Sequence, residues 1–498
     1  MDVIGEALLL LLDPYVIGVM AATAIYGLVV GSIPGLTASM AVALLVPVTF
    51  FMDPVPALAG IVTMSAMAIF AGDLPGALLR IPGTPASAAY ADEAHKMTLA
   101  GKADLALGVG LICSAIGGVF GALVLIFAAP ALAEVALQFS TVEYFWLACL
   151  GLTAAVAVSH GHWTKGVISL MIGLAVSTIG LDPVSGQMRF TFGSTALTGG
   201  LGFIPVLIGL FAISEILRYA IGSKRPASAT RPPIGNVFAG VFREVGRLKL
   251  SILRGCGIGT VIGAVPGAGA DIAAYVSYAV ARRFSPNREK FGTGIVDGLA
   301  PATAANNSSI GGAFVPATVF GIPGDSLTAI VIGVLYMKGL NPGPTVFLMK
   351  PELINAVFLA YLIANLMLVP FGFVAIRLFT QILRVPQSVL MPLILGFCIV
   401  GAFAVENATF AVTAMLIMGV VGFLMEENGF PLAPAILGLV LGPMVEEMFL
   451  TSLIKGDGNL LFLLSRPLAA GLAAVTLAIW ILPLVFMLAR RLRGSAQP

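Results

Sequence analysis

The feature that most constrains the fold of this chain is a series of long segments without a charged side chain. These segments contain no Asp, Glu, Lys or Arg and cover residues 14–52, 54–72, 105–133, 144–159, 166–181, 190–214, 353–376, 385–405, 407–425, 428–445 and 467–489. A helix needs about 20 apolar residues to cross the hydrocarbon core of a bilayer. Leu, Ala, Val and Ile fill the segments without the alternation of a membrane β-strand. We therefore predict an all-α polytopic membrane protein with about 10–12 transmembrane helices.

The overall composition excludes a water-soluble globular protein. Of the 498 residues, 59% are apolar and 10% are charged, against roughly 25% charged residues in a typical soluble domain. A soluble fold of this size needs a polar exterior that the sequence does not supply. The formal net charge of +2 gives no reason to expect a nucleic-acid partner. Three His residues and four Cys residues at unrelated spacing predict no metal site.

Two motifs rich in Gly and Pro occur twice in the same order. Gly-Ser-Ile-Pro-Gly at 31–35 returns as Gly-Ala-Val-Pro-Gly at 263–267, an offset of 232 residues. A proline followed six residues later by Ile-Pro-Gly, at 75–83, returns at 316–324, an offset of 241. Two motifs at nearly the same offset indicate duplicated halves. We predict a first membrane repeat at 1–222, a cytoplasmic linker at 223–252 and a second membrane repeat at 253–498.

The charges around the Pro-Gly points predict how each half enters the membrane. The apolar stretch 255–281 is preceded by four basic residues between 243 and 254 and followed by four between 282 and 290. Because basic residues favour the cytoplasm, a re-entrant hairpin with arms of about 12 residues explains both clusters. The first Pro-Gly point has only Asp13 and Asp53 at its borders, so an equivalent hairpin enters from the periplasm. The result is a pair of inverted repeats, with two Pro-kinked full spans as the alternative.

Helices interrupted at membrane depth expose backbone N–H groups and the positive end of the helix dipole, which suits a carboxylate. Unwound carbonyls nearby can hold Na⁺ or a protonatable partner. The candidate substrate-binding residues are Ser32, Pro34, Gly35, Thr37, Ser39, Pro82, Gly83, Thr84, Ser87, Pro266, Gly267, Gly269, Asn306, Asn307, Pro323, Gly324 and Ser326. Asp271, Asp325 and Thr303 are the candidates for ion coupling, because ionisable and polar groups in membrane segments are functional candidates by default.

Each candidate also has a purely structural interpretation. Ser and Thr in membrane helices commonly bond to their own backbone or join helices, and Gly and Pro can serve close packing alone. Asp271 and Asp325 can equally lie at a water boundary. The adjacent carboxamides of Asn306 and Asn307 favour a functional interpretation, because they are costly in hydrocarbon without partners.

Several segments carry a resemblance to a known family. They are 31–36, 81–87, 92–108, 263–270, the pair 306–307, and 321–324 with 341–344 beyond it. Together they resemble the large membrane subunit of tripartite tricarboxylate transporters, the TctA family. The resemblance implies a secondary active permease of the bacterial inner membrane that imports small carboxylates such as citrate. It further implies a periplasmic solute-binding protein and a small membrane subunit as partners, and an Na⁺ or H⁺ gradient as the driving force. No cofactor is expected, apart from Na⁺ as a coupling ion.

The sequence departs from the family pattern at two places. Thr303 stands where the family often has an acidic residue before the Asn pair, and Gly72-Asp73-Leu74 stands where a Gly-Ser pair is common. Two other functions are the alternatives: a gradient-independent channel or facilitator for organic anions, and an intramembrane enzyme. The enzyme is disfavoured because Asp271 follows a Gly-rich motif without an obvious second, facing aspartate and because no GxSxG elbow occurs.

Overall fold

The computed structural model describes residues 3–33, 36–158, 163–182, 184–222, 235–266, 269–382 and 387–494. Helices dominate because a helix satisfies its backbone N–H and C=O groups within one segment, as a bilayer requires. The first half contains α1 (Val3–Leu11), α2 (Pro14–Gly31), α3 (Ala38–Phe50), α4 (Pro54–Ala71), α5 (Asp73–Leu79), α6 (Ala88–Leu99), α7 (Ala103–Ala136), α8 (Thr141–Val158), α9 (Trp163–Ser177), α10 (Phe203–Ile208) and α11 (Ser214–Ile221). The second half contains α12 (Val241–Arg247), α13 (Lys249–Gly263), α14 (Gly269–Phe284), α15 (Val296–Val319), α16 (Ser326–Met337), α17 (Val346–Met349), α18 (Pro351–Ile382), α19 (Gln387–Glu406), α20 (Thr409–Glu427), α21 (Leu432–Lys455) and α22 (Pro467–Gly494).

A short strand pair lies in the connection between α9 and α10. β1 (Gly180–Leu181) and β2 (Met188–Arg189) are antiparallel, with Gly180 opposite Arg189. Arg189 Nη2 donates to Glu446 Oε2 on α21 across 2.9 Å, which fastens the ribbon to the second half. A π-helical turn, Gly209–Ile213, joins α10 to α11.

Seven helices in the described part of the chain are long and apolar enough to cross a membrane. They are Pro14–Gly31, Pro54–Leu79, Ala103–Ala136, Phe203–Ile221, Pro351–Phe379, Thr409–Glu427 and Leu432–Lys455. Shorter apolar helices accompany them, at Ala38–Phe50, Thr141–Ala157, Trp163–Ser177, Ser326–Met337, Met391–Glu406 and Pro467–Ile481. The prediction of an all-α polytopic membrane protein is confirmed.

The centre of the fold is α15, whose 24 residues are all buried. It packs against α7, α13 and α14. On α7, Gly117 and Gly121 let the backbone approach Ala304 and Ser308 of α15 so closely that a side chain at either glycine would overlap the facing backbone. Small residues permit this approach, as is common where membrane helices meet.

Equivalent residues of the two halves make equivalent helix contacts. Gly31 of α2 lies against the backbone of Ala68 of α4, and Gly263 of α13 lies against the backbone of Ser309 of α15. Gly263 follows Gly31 by 232 residues and Ser309 follows Ala68 by 241, which are the offsets of the two sequence motifs. The packing of α2 on α4 therefore matches that of α13 on α15.

The turns after these helices also match. Ile81 N donates to Pro75 O across 3.2 Å, and Ile322 N donates to Pro316 O across 3.2 Å. These contacts support the predicted duplication. The orientation of each half in the membrane and the boundaries of the repeats stay predictions.

The first and third Pro-Gly points each separate two helices. α2 and α3 have 18 and 13 residues, and α13 and α14 have 15 and 16. α13 and α14 pack against each other as the arms of a hairpin do, whereas α3 packs mainly against α4 and α19. The second pair is longer than the predicted arms because α13 begins at Lys249, within the predicted linker.

The predicted linker is partly helical. Residues 223–234 lie outside the described residues, and α12 and the first turn of α13 occupy its second part. Arg247 Nη2 at the end of α12 donates to Asp297 Oδ2 at the start of α15 across 2.6 Å. This ion pair fixes the end of the linker to the central helix.

Candidate substrate and ion site

Three helix N-termini from the two halves meet at one place. Ser39 Oγ in the first turn of α3 and Ser326 Oγ in the first turn of α16 lie 2.8 Å apart and share a hydrogen bond. Gly269, the first residue of α14, adopts a positive φ of 56°. A Cβ on Gly269 would lie 2.9 Å from the Cβ of Asp325, the N-cap of α16. The N-termini of α3, α14 and α16 are therefore brought together.

This convergence suits a small anion. Helix N-termini carry unpaired N–H groups and the positive end of the helix dipole. Thr37, Ser39, Asp325 and Ser326 are each half-buried, so a small molecule can reach the hydroxyls. Serine hydroxyls can donate hydrogen bonds to a carboxylate oxygen. The arrangement can hold a small carboxylate between α3 and α16.

Two candidates at these N-termini also cap helices. Thr37 Oγ1 accepts a hydrogen bond from Met40 N across 3.2 Å. Asp325 forms a capping box: its Oδ1 accepts from Thr328 N across 2.8 Å, and Asp325 N donates to Thr328 Oγ1 across 2.9 Å. The Asp325 carboxylate is therefore engaged at the start of α16, where backbone donors and the helix dipole offset its negative charge.

The same reciprocal cap occurs at the second Pro-Gly point. Thr84 N donates to Ser87 Oγ across 3.2 Å, and Ser87 N donates to Thr84 Oγ1 across 3.1 Å. Gly83 N donates to Gly72 O across 3.0 Å. The second Pro-Gly point therefore lies beside the junction of α4 and α5.

The other candidates occupy turns or bond within their own helix. Ser32 Oγ donates to Val29 O across 2.9 Å, and Thr303 Oγ1 donates to Leu299 O across 2.8 Å, as the structural interpretation expects. The turns between helices contain Pro82, Pro266, Pro323 and Gly324. Pro34, Gly35, Gly267 and the side chain of Asp271 lie outside the described residues.

The Asn pair lies fully inside the helix bundle. Asn306 is 1% exposed and Asn307 is 0% exposed. Asn306 Nδ2 donates to Tyr90 Oη across 2.9 Å, but Asn306 Oδ1 and both polar side-chain atoms of Asn307 have no hydrogen-bond partner among the described residues. Buried amides without partners are costly. The geometry therefore strengthens the functional interpretation of this pair.

A carboxylate that the site prediction missed completes this cluster. Tyr90 Oη donates to Asp73 Oδ1 across 2.6 Å, and Asp73 Oδ2 has no partner in the described part of the chain. In the sequence, Asp73 directly follows the charge-free segment 54–72. The available signal was the apolar sequence 74–79 before Arg80, which extends the span to Pro54–Leu79 and places Asp73 inside it.

Two cavities bear on the site. A cavity of about 10 Å³ lies beside the cluster and is lined by Asp73, Ser87, Tyr90 and Leu299 among others; this is the volume that one water needs. A second cavity, of about 370 Å³, lies between α10, α16, α19 and α21, and its mostly apolar lining includes Glu406. The described lining residues of the second cavity include no Lys or Arg that could pair with a carboxylate substrate.

A comparison with known families decides the identity of the chain. The sequence profile of the tripartite tricarboxylate transporter TctA family matches residues 17–437. The chain belongs to the TctA family. The matched range covers most of each half and contains all four Pro-Gly points and the Asn pair.

Two proteins of Agrobacterium vitis are similar to this TctA-family chain. An uncharacterized 52.8 kDa protein in the TAR-I ttuC' 3' region is 33% identical over 460 residues, which are 92% of this chain and 91% of the relative. An uncharacterized protein in the TAR-II ttuC' 3' region is 33% identical over 227 residues, 46% of this chain and 94% of the relative. No solved structure matches the chain.

Membership of the TctA family makes the protein a multi-pass membrane component of a transporter rather than an enzyme. The two departures of this TctA sequence from the family pattern lie at the same cluster. Asp73 accepts a hydrogen bond from Tyr90, and Thr303 lies one helical turn before Asn306, which donates to Tyr90. The sequence could not show this because 230 residues separate Asp73 from Thr303.

Proposed function

We propose that the chain is the large permease subunit of a secondary active transporter that imports small carboxylates of the citrate type into bacteria. A periplasmic solute-binding protein delivers the substrate, and a small membrane subunit completes the system in the inner membrane. The driving force is an Na⁺ or H⁺ gradient. Membership of a tripartite tricarboxylate transporter family supports each of these assignments.

The observation that carries the proposal is the contact between Ser39 and Ser326. It joins the N-terminus of α3 in the first half to that of α16 in the second half, with the start of α14 beside it. Helix N-termini provide the donors and the positive dipole ends that a carboxylate needs at membrane depth. Both hydroxyls are half-buried, so they are available to a ligand.

The packing supports a cycle in which paired helices move as units against a scaffold. Gly117 of α7 and Ala304 of α15 make a close backbone contact between the halves, which makes these central helices part of the scaffold. Within the halves, close contacts between backbones occur at Gly31 with Ala68 and at Gly263 with Ser309. Such contacts make α2 with α4, and α13 with α15, units that resist internal change. In the proposed cycle the site between the halves opens to one side of the membrane and then to the other.

A facilitator is the alternative function, and the buried polar cluster favours the coupled transporter. A passive path for anions has no need of a carboxylate such as Asp73 inside a membrane span, where an ionisable group is expensive. In a coupled transporter such a group can bind the coupling cation.

The proposal is tested by uptake of radiolabelled citrate and related carboxylates into proteoliposomes that contain the permease with its small subunit. Uptake is measured with and without an inward Na⁺ or H⁺ gradient, and with and without the binding protein. Accumulation that requires an ion gradient and the binding protein supports the proposal. Equilibration that ignores both gradients identifies a facilitator, and no flux of any tested carboxylate contradicts the substrate class.

A further inference from the structure

Asp73 has the surroundings of a group that binds and releases an ion. It is 9% exposed within the apolar span Pro54–Leu79. One carboxylate oxygen accepts from Tyr90, while Oδ2 has no partner among the described residues. The cavity of about 10 Å³ that touches Asp73 can hold one water. A buried carboxylate kept only for structure is normally bonded at both oxygens.

The other charged groups on the neighbouring helices have partners of their own. α4 carries no charged residue, and Glu134 lies at the far end of α7 from the cavity-lining residues. On α6 and next to it, Arg80 pairs with Asp92 at 2.8 Å, Glu93 accepts from Gly294 N at 2.7 Å, His95 Nδ1 lies 3.2 Å from Ala77 O, and Lys96 donates to Gly292 O. At the start of α7, Asp104 accepts from Gly235 N at 2.9 Å. At the start of α15, Asp297 pairs with Arg247 at 2.6 Å. Tyr90 is therefore the titratable group that faces Asp73.

We infer that Asp73 is the group that carries the coupled proton, with Tyr90 and Asn306 as its positioning residues. The inference rests on the proposed function, because it names the ion and the site of an ion-coupled transporter. Asn306 donates to Tyr90 and Tyr90 donates to Asp73. This chain of hydrogen bonds connects the carboxylate to the Asn pair of the central helix α15.

A proton fits this site better than Na⁺. A hard metal cation needs several oxygen ligands arranged around it. The space beside Asp73 Oδ2 holds a single water, and the unpartnered amide oxygens of Asn306 and Asn307 do not line it. A proton needs only the lone pair of Oδ2.

The step balances without another reactant. A proton from water binds Oδ2 and converts the carboxylate into a neutral carboxylic acid, while Tyr90 keeps its own proton. When Asp73 is neutral, the span Pro54–Leu79 no longer carries a buried charge. The free-energy cost of moving this span within the membrane is then lower. Release of the proton on the other side restores the carboxylate, so one proton has entered.

The test compares the wild type with Asp73→Asn, which keeps the shape and removes the proton site. Radiolabelled citrate accumulation and proton entry, followed by a trapped pH-sensitive dye, are measured in the same proteoliposomes with the partner subunits. We expect Asp73→Asn to lower both proton-driven signals at least about tenfold. Citrate counterflow, which needs no net proton movement, stays within about twofold of the wild type. Asp92→Asn, at an exposed ion pair on α6, is the matched control and behaves as the wild type.

Three outcomes overturn the inference. Proton-driven accumulation by Asp73→Asn excludes Asp73 as the proton site. Accumulation by the wild type with an Na⁺ gradient alone, without proton entry, refutes the proton as the coupling ion. It leaves the proposed function intact. Counterflow without accumulation under either gradient in the wild type refutes ion coupling itself.

A second variant keeps the test decisive where Asp73→Asn does not fold. Tyr90→Phe retains the carboxylate but removes the donor that favours its ionised form. We expect the pH profile of proton-driven uptake to move to higher pH. An unchanged profile contradicts the positioning role of Tyr90 and the assignment of the proton to Asp73.

Discussion

The hydroxyl groups of Ser39 and Ser326 share a hydrogen bond of 2.8 Å although 287 residues separate them in the chain. Each hydroxyl belongs to the first turn of a helix that follows a Pro-Gly break, one in each half. The contact thus joins the halves where two helix dipoles present their positive ends. It defines the place at which a carboxylate can contact both halves at once.

Substitution of either serine should weaken substrate binding. We expect Ser39→Ala and Ser326→Ala each to raise the KM for uptake about tenfold, since a hydrogen bond to a charged group contributes about 1.5–3 kcal/mol. The loss of binding free energy in the double variant should be smaller than the sum of the two single losses, because the two hydroxyls also bond to each other. Initial rates of citrate uptake in proteoliposomes measure this.

The control for the serine variants is Ser65→Ala on α4. Ser65 Oγ is buried and donates to Ile61 O of its own helix across 2.7 Å, so its loss tests the removal of a hydroxyl without a role at the site. An unchanged KM in Ser39→Ala and Ser326→Ala would mean that both residues serve helix packing and do not bind substrate.

The Asn pair separates function from stability. Asn307→Leu replaces two unpartnered buried polar atoms by apolar ones of similar volume, so we expect the free energy of unfolding to rise by about 1–3 kcal/mol. Transport should nevertheless be lost. Thermal unfolding in detergent and citrate uptake are measured on the same preparation.

Smaller substitutions complete the test of the pair. Asn306→Ala and Asn307→Ala should lower transport while expression stays normal. Transport at the wild-type level in all three variants would mean that the pair has no role in substrate or ion binding.

Two glycines of α13 differ in how much space surrounds the position of a side-chain methyl group. A Cβ on Gly263 would overlap the backbone of Ser309, whereas a Cβ on Gly257 would have nothing within 4 Å. We expect Gly263→Ala to destabilise the protein by about 1–3 kcal/mol and Gly257→Ala to be neutral or to stabilise it by about 0.5–1 kcal/mol. Unfolding midpoints in detergent measure both, and equal midpoints for the two variants would contradict the close contact between α13 and α15.

The start of α15 should make stability depend on pH. Burial raises the pKa of Asp297, but hydrogen bonds from Arg247 and Asn287 outweigh it and hold the pKa below its usual value. This residue precedes the charge-free part of α15 and lies outside the seven long apolar helices. Because the folded pKa is the lower one, Asp297 contributes stability above its unfolded pKa of about 3.9 and loses it as the pH falls through the folded value.

The matching variant is Asp297→Asn, which lacks the ionisation. We expect the wild type to be more stable than this variant near neutral pH, and the difference in unfolding free energy to shrink as the pH falls below about 3.9. Detergent-solubilised protein is unfolded over this pH series. A difference that does not change with pH would show that the carboxylate charge is not what Arg247 stabilises.

Local chemistry made several features of this protein readable from the sequence. The charge-free segments predicted the helices because a bilayer offers the backbone no partner outside the helix. Pro-Gly predicted where helices stop, since Pro lacks an N–H and Gly accepts strained backbone angles. Helix ends at Gly31 and Gly263 agree with these predictions.

Position within the bundle was harder to obtain from the sequence. In the sequence, Asp73 marks the border of an apolar segment. A single charged residue ends a charge-free segment whether it lies inside the membrane or at its surface. Asp325 stays a predicted residue for ion coupling, and the structure adds that its carboxylate caps α16. The partners of a polar side chain bear on its role, and those partners come from other helices or from the exact start of a helix.

The sequence by itself determined the class of protein and most of its helices, and it predicts the four breaks and the duplication. Hydrophobicity and the properties of Gly and Pro act over a few neighbouring residues, which is why a local pattern reveals them. Only the tertiary structure decided that Ser39 meets Ser326 and that Tyr90 links Asp73 to Asn306. These contacts depend on how glycines set the distances between helices. Packing of that kind joins residues hundreds of positions apart, beyond the reach of any local pattern.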